Sequence, residues 1–170
     1  MSKVELIRAL YDYNEWANNR LLKTASELSP GEFSRPQGAS WGSIEANLAH
    51  IAGAQVVWLS RWHTGANQTP LADIHAITGV DNIRGVFDES HSALRGFTAS
   101  LAEGRLDSVL AYTDSRGNPY ERVLWQLMTH VVNHGTYHRG EVAMALTALG
   151  HNPGDLDYVY FEIAREGGSR

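Results

Sequence analysis

Residues 121–149, ERVLWQLMTHVVNHGTYHRGEVAMALTAL, decide the fold, because they combine a helical apolar pattern with three evenly spaced histidines. The apolar residues recur at intervals of three and four, which places them on one face of an α-helix. Gly150 follows directly, and glycine commonly closes a helix in the left-handed conformation. We therefore predict a long amphipathic helix from about residue 121 to residue 149, with a core-facing side formed by Leu124, Leu127, Met128, Val131, Val142, Leu146 and Leu149.

The N-terminal residues predict a first long helix. Ser2 and Glu5 have the spacing of a capping box, in which each side chain bonds to the other residue's backbone amide. The apolar pattern continues until Ser29-Pro30-Gly31, and a polar loop with Pro30 and Pro36 is expected next. This first helix should span about residues 3–28, with an apolar face of Leu6, Leu10, Tyr13, Ala17, Leu21 and Leu28.

Two more helices are expected in the middle of the chain. Either Ser40 or Ser43 can cap a second helix that ends at about Trp62, and its few charges indicate burial on most sides. Residues 63–79 are rich in glycine, proline, asparagine and threonine and predict a loop. A third helix is then marked by the helical spacing of Ile83, Val86, Phe87, Leu94, Phe97 and Leu101.

The regions on either side of the last long helix are shorter elements. Residues 109–120 predict two extended pieces around a turn, which form a small β-hairpin. Residues 155–166 can add a short helical piece, and residues 167–170 should fray. Four long helices joined by loops favour an all-α fold, an antiparallel four-helix bundle with a small hairpin before its last long helix.

The composition limits the classes of function. A chain of 170 residues fits a single domain, here residues 1–170. The formal net charge of −5 without basic runs argues against nucleic-acid binding. No apolar stretch is long enough for a membrane span and no basic leader precedes one, so a cytoplasmic protein is expected. Because the chain has no cysteine, any metal ion must be held by histidine, aspartate or glutamate.

His130, His134 and His138 follow one another at intervals of four along the last helix. Four residues advance a helix by about 6 Å, so neighbouring members can bind one ion, whereas the outer two lie about 12 Å apart and cannot. His138 and His134 lie nearer the apolar stripe than His130 does, which makes them the inward pair. His130 is expected at the flank, as a supporting, interface or solvent-facing residue.

A pair of histidines on a helix edge is as often an ordinary polar feature as a metal-binding pair. The spacing alone therefore leaves both interpretations open. Zinc-like coordination would need a third ligand from another helix. The candidates are His50, His63, His75 and His91, of which the second and third lie in the predicted loop. His50 is modestly favoured because room for an ion is left by its small neighbours, Ala46, Ala49, Gly53 and Ala54.

Three stretches of the sequence resemble the DinB/YfiT-like family of metalloproteins. They are residues 13–18 (YNEWAN), residues 47–51 (NLAHI) followed by Trp58, and residues 134–141 (HGTYHRGE). The resemblance covers nearly the whole chain in order, including the hairpin before the last helix. Where the family pattern usually has glutamine after Arg-Gly, this chain has Glu141, which either tunes the metal, binds Arg139 or faces solvent.

The resemblance implies a four-helix bundle, commonly a homodimer, with one divalent transition metal ion on His50, His134 and His138. Zinc or nickel is the expected ion, although histidine ligands are also compatible with iron. Activities in the family include metal-dependent hydrolysis and transfer or isomerisation reactions that use low-molecular-weight thiols. A small-molecule substrate is therefore expected, and contact with DNA is not.

Three neutral imidazoles would leave an open coordination position, at which water can ionise to hydroxide or a thiol can bind. The chain is thus interpreted as a metal-dependent hydrolase, a thiol S-transferase, or a non-catalytic metal-binding bundle. Glu141, His130 and Tyr137 are candidates for a general base or a supporting residue. Asn14, near the middle of the first helix's apolar face, either bonds to backbone or water as a structural feature or lines the polar cavity over the metal and orients substrate.

The tryptophans are not candidates for the metal site. Trp16, Trp41 and Trp62 are most simply interpreted as packing residues or contacts of a dimer.

Overall fold

The computed structural model describes residues 1–65 and 71–167, and over these it confirms an all-α bundle with one small β-hairpin. The long helices α1, α3, α5 and α7 correspond to the four predicted ones. In chain order the elements are α1 (Lys3–Ala25), α2 (Pro30–Ser34), α3 (Ile44–Thr64), α4 (Leu71–His75), α5 (Val80–Ala99), α6 (Glu103–Leu106), β1 (Val109–Thr113), β2 (Pro119–Val123), α7 (Leu124–Ala148) and α8 (Tyr158–Arg165).

The four long helices form a square in which α1 packs on α5 and α7, and α3 packs on the same two helices. Arg8 donates to the carbonyl of Thr98 and Arg84 donates to the carbonyl of Leu22, so α1 and α5 run antiparallel. Aromatic contacts show that α3 and α7 are also antiparallel. The other two packed pairs, α1 with α7 and α3 with α5, are parallel, which leaves two helices running in each direction.

Capping boxes mark the first residues of both α1 and α2. The predicted capping box of Ser2 and Glu5 is present at the start of α1. The helix stops at Ala25, three residues earlier than predicted, and Ser29 and Glu32 then form a second capping box. The predicted polar loop is therefore wrong over the first five residues after Ser29, which form α2 with proline at its first position.

Helix α3 begins and ends at defined caps. Ser43, the second of the two predicted caps, accepts a hydrogen bond from the amide of Ala46 at 3.0 Å. The helix continues two residues beyond Trp62 and ends where Gly65 adopts a left-handed conformation with φ of 75°. His63 therefore belongs to the helix and not to the predicted loop. Burial on most sides of α3 agrees with its scarcity of charges.

The segment after α3 is partly helical as well. The predicted loop over residues 63–79 is wrong at α4, which carries His75, and its residues 66–70 lie outside those that the structure describes. At the other end of the chain, the predicted short helical piece is α8, and most of the predicted fraying falls on residues 168–170, which are also outside the described part. No helix in the described ranges combines the length and the apolar character that a membrane crossing requires.

The hairpin extends further than the sequence indicated. β1 and β2 pair antiparallel with Tyr112 opposite Tyr120, and the pairing continues to Val109 opposite Val123. Helix α7 consequently begins at Leu124 and not at about residue 121, because the three preceding residues belong to the sheet.

The interior contains two apolar clusters at opposite ends of the bundle, one around Trp62 and Met128 and the other around Phe87 and Leu146. Between them along each long helix lies a layer of buried polar side chains, contributed by Asn14 and Asn18 on α1, Gln55 on α3, Ser90 and His91 on α5, and Arg139 on α7. This layer is called the arginine–amide network below. It fills the centre of the bundle, so the histidines of α3 and α7 lie to one side of it.

Candidate metal centre

Helices α3 and α7 bring together His50, His134 and His138, named the histidine cluster here. One potential ligand atom from each lies within 4.8 Å of the other two. The shortest approach joins the Nε2 atoms of His50 and His134, which are 2.9 Å apart. His50 and His138 are buried and His134 is half-buried, so the three nitrogens meet largely out of contact with water.

Helical geometry accounts for this convergence. His134 and His138 are one turn apart on α7, and their ring centroids are 4.6 Å apart. His50 comes from the antiparallel α3, and its ring centroid lies 4.7 Å from that of His138. Small neighbours of His50 on α3, among them the buried Ala49 and Ala54, leave space for three rings between the helices. Exposure along α7 increases from His138 through His134 to His130, the order expected from the apolar stripe.

The second ring nitrogen of His138 is held by Glu141. Its Nδ1 lies 2.9 Å from the glutamate Oε2 and 3.3 Å from the Ser40 hydroxyl. The same carboxylate accepts hydrogen bonds from the Ser40 hydroxyl at 2.7 Å and the Ser40 amide at 3.1 Å. Glu141 thus contacts a candidate metal ligand, as expected if it tunes the metal, and it does not bind Arg139. The Nε2 of His138 remains the nitrogen available to a metal ion.

Burial alone would raise the pKa of the Glu141 carboxyl, but hydrogen bonds from Ser40 and His138 outweigh it and hold the pKa below its ordinary value. The carboxylate is therefore charged at neutral pH. An ionised carboxylate beside Nδ1 favours the tautomer in which that nitrogen carries the proton.

The second ring nitrogen of His50 also has a partner, His75 on α4. The distance between His50 Nδ1 and His75 Nε2 is 3.1 Å. Trp41 covers both rings, with its centroid 4.1 Å from that of His50 in a stacked arrangement and 4.6 Å from that of His75. Sequence reasoning gave Trp41 only a packing or dimer role and placed His75 in a loop, so both contacts were missed.

The electrostatics favour neutral imidazoles in the cluster. Burial, and after it the neighbouring histidines, lower the pKa of His50 to about 3. Burial together with His138, His130 and Arg139 lowers the pKa of His134 to about 4. Both rings are therefore uncharged at neutral pH and can offer lone pairs. Because a metal ion needs the neutral form of histidine, these two rings have the charge state that a metal site requires.

The donor set fits a divalent transition metal ion. Nitrogens that each lie about 2.1 Å from one tetrahedral ion are separated by roughly 3.4 Å. The observed separations, from 2.9 Å for the closest pair up to the 4.8 Å limit for all three, bracket that distance. Buried imidazole nitrogens facing one another are also costly to leave without a shared proton or cation.

Two of the remaining candidates lie beside the cluster. The ring of His130 packs against Trp58 with centroids 5.1 Å apart, one turn away from His134, and is not a member of the cluster. Burial and the charge of Arg61 lower the pKa of His130. Tyr137 is 63% exposed, and its ring centroid is 4.8 Å from that of His138, so it lies at the rim of the site.

Asn14 belongs to the arginine–amide network. Its amide nitrogen donates to Gln55 Oε1 at 2.5 Å, and its oxygen accepts from Arg139 at 2.6 Å. Both ends of the side chain are thus engaged within the core, which favours the structural role, although the partners are side chains and not the predicted backbone or water. The guanidinium of Arg139 also donates to Asn18 and Thr136, and burial lowers its pKa.

Comparison with known proteins identifies the family of this chain. The sequence model of the DinB family matches residues 1–168. A curated relative, Protein DinB of Bacillus subtilis (strain 168), is 24% identical over 153 residues, covering 88% of this chain and 89% of the relative. The family match spans the hairpin, all four long helices and the histidine cluster, and this chain belongs to the DinB family.

Proposed function

We propose that this protein is a metal-dependent hydrolase that holds one divalent transition metal ion, zinc or nickel, on His50, His134 and His138. The observation that carries the proposal is the convergence of three imidazole ligand atoms within 4.8 Å of one another. Three protein ligands, rather than four, are typical of catalytic zinc sites, in which a further position takes water or substrate. When bound, the ion would supply a Lewis acid and lower the pKa of water at that position.

The chain's own residues prepare the site for this chemistry. Burial keeps His50 and His134 neutral, with pKa values of about 3 and about 4. Glu141, anchored by Ser40, orients His138 through its Nδ1. Because the carboxylate oxygens of Glu141 already bond to Ser40 and His138, we assign it a positioning role and not that of general base.

Substrate would approach over the exposed rim of the site. Tyr137 is the most exposed aromatic side chain beside the cluster, and its ring lies against His138. Trp41 is 41% exposed and stacks on His50, so it offers an apolar surface next to the ligands. Two aromatic rings at the rim favour a small organic molecule as substrate.

The first test is elemental analysis of protein purified without chelator and without a histidine tag. We expect about one ion per chain in the wild type and in His130→Ala, and loss of stoichiometric metal in His50→Ala, His134→Ala and His138→Ala. Circular dichroism of every variant checks that the bundle is folded. Wild-type protein that is metal-free and takes up no zinc, nickel or cobalt would contradict the proposal.

The second test addresses the reaction. Metal-loaded wild type should hydrolyse an activated ester such as 4-nitrophenyl acetate, and the three ligand variants should lose the metal-dependent part of that rate. If cobalt-loaded protein shows no metal-dependent hydrolysis but its visible spectrum changes on addition of a small thiol, the hydrolase assignment is wrong and thiol transfer replaces it. A cobalt spectrum that responds to neither thiol nor competing anions would indicate a closed, structural ion.

A further inference from the structure

Each imidazole that binds a metal through one nitrogen has a second nitrogen, whose partner decides how the ring is oriented. For His138 that partner is Glu141, a carboxylate on the same helix. For His50 the partner is another histidine, His75, which comes from the short helix α4. His75 is not one of the three candidate ligands, yet it contacts the far side of one of them, His50.

The chemistry of the ring pair fixes the direction of this hydrogen bond. If His50 offers the lone pair of Nε2 towards His134, the single proton of its neutral ring must lie on Nδ1. That nitrogen is 3.1 Å from His75 Nε2, a distance suited to an N–H donor and an imidazole acceptor. His75 must then carry its own proton on Nδ1.

Trp41 restricts the position of both rings. Its indole stacks on His50 with an interplanar angle of 23° and lies against His75 with ring centroids 4.6 Å apart. The His50 and His75 centroids are themselves 5.2 Å apart, so the three rings form one packed group. A side chain held in this way loses little further freedom when an ion binds to His50.

We infer that His75 is a positioning residue for the metal centre. Its Nε2 accepts a hydrogen bond from the Nδ1–H group of His50 and thereby sets the tautomer and the direction in which His50 presents Nε2. This inference rests on the proposed function, because it assumes that His50 binds metal. His75 does not itself bind the ion. Its loss should therefore weaken metal binding without changing the number of ligands.

The experiment measures cobalt affinity by competition with a chromophoric chelator, together with the visible absorption of the bound cobalt. The variants are His75→Ala, which removes ring and acceptor, His75→Gln, which keeps an acceptor, and His75→Phe, which keeps a ring against Trp41 without an acceptor. His63→Ala is the matched control, since His63 contacts Phe97 on another part of the surface. His50→Ala serves as the reference for loss of a ligand.

We expect His75→Ala and His75→Phe to bind one cobalt ion about 10- to 100-fold more weakly than wild type, the range seen when outer partners of metal ligands are removed. His75→Gln should recover most of the affinity, His63→Ala should match wild type, and absorption intensity should be unchanged in all of them.

Four results would overturn the inference. Affinities of all His75 variants within about threefold of wild type would show that the hydrogen bond is immaterial. Loss of binding as severe as in His50→Ala, with a changed spectrum, would make His75 a ligand. Normal affinity in His75→Phe with low affinity in His75→Gln would indicate packing alone. Absence of cobalt binding in wild type would instead remove the proposed function, and with it this inference.

Discussion

The histidine cluster and the arginine–amide network lie on different faces of α7 and differ in how their polar atoms are paired. In the network, donors meet acceptors: Arg139 donates to the oxygens of Asn14 and Asn18, and both amides also donate to Gln55. In the cluster, the Nε2 atoms of two neutral rings face each other at 2.9 Å. Matched groups need nothing further, whereas two facing imidazole nitrogens can either share one proton or bind a common cation.

The contrast is sharpest at His138 and Arg139, which are adjacent in sequence. One points towards α3 and the candidate metal site, and the other is 2% exposed among neutral partners in the centre of the bundle. Substitutions in the network should therefore change the free energy of unfolding, while substitutions around the cluster should change metal affinity. The following predictions test that separation.

The largest effect on stability is expected for Arg139→Met. The apolar replacement fills much of the space but leaves the buried oxygens of Asn14 and Asn18 without their donor, and each lost partner costs about 1–3 kcal/mol. We expect the free energy of unfolding of metal-free protein to fall by about 3 kcal/mol, measured by urea denaturation.

Arg95→Ala is the control, because the ion pair of Arg95 with Glu15 is partly exposed and should contribute at most about 1 kcal/mol. Folded Arg139→Met should still bind one metal ion. Equal losses for the two arginines, or loss of metal with full stability, would contradict the division between network and cluster.

His91, at the α5 end of the network, should make stability depend on pH. Its pKa is lowered from 6.5 to about 4, chiefly by burial, so below pH 6.5 the unfolded chain takes up a proton that the folded chain does not. Stability present above pH 6.5 is thus lost as the pH falls towards 4, by roughly 2–3 kcal/mol for this residue at pH 4.5.

The measurement compares unfolding free energies at pH 7 and pH 4.5 for wild type and His91→Gln, both freed of metal by a chelator. The variant should lose less stability between the two pH values. The low pKa values of His50 and His134 act in the same direction in both proteins and cancel in the comparison. An identical loss in the two proteins would show that His91 does not remain neutral in the folded state.

The smallest effect is expected for Glu141→Gln, which places an amide where this chain has a carboxylate. The glutamine oxygen can still accept from His138 Nδ1, but it lacks the charge that strengthens the bond. Metal affinity should fall by at most about tenfold, with stability unchanged, whereas Glu141→Ala should lose more. Chelator competition measures both, and equal affinities for Gln and Ala would argue against the hydrogen bond.

The parts of the fold that could be predicted are those set by local pattern. The apolar spacing along residues 121–149 predicted α7, and Ser2 with Glu5 predicted the start of α1. Helix α2 could also have been found, because Ser29 and Glu32 have the same capping spacing, but the two prolines nearby favoured a loop. The extent of β2 could not, since its last residues fit a strand or a helix equally well.

The site was predictable only in part, because only some of its contacts are set by local sequence pattern. Helical spacing selected His134 and His138, whereas the choice of His50 depended on its small neighbours and on the family resemblance. The contacts of Trp41 and His75 depend on how the segments before and after α3 fold back over it, which no local spacing encodes. Burial of Arg139 was equally hidden, because its two asparagine partners lie more than a hundred residues earlier in the chain.

Gly135 links the two regions. A Cβ atom there would lie 2.7 Å from the Arg139 guanidinium and 3.0 Å from the Asn14 oxygen, so any side chain would displace groups that are already bonded. Replacing a glycine inside a helix by alanine normally increases stability. In this chain Gly135→Ala would instead disturb both the bundle interior and the helical turn between His134 and His138. Any redesign of the histidine cluster must therefore treat this turn and the bundle interior as one unit.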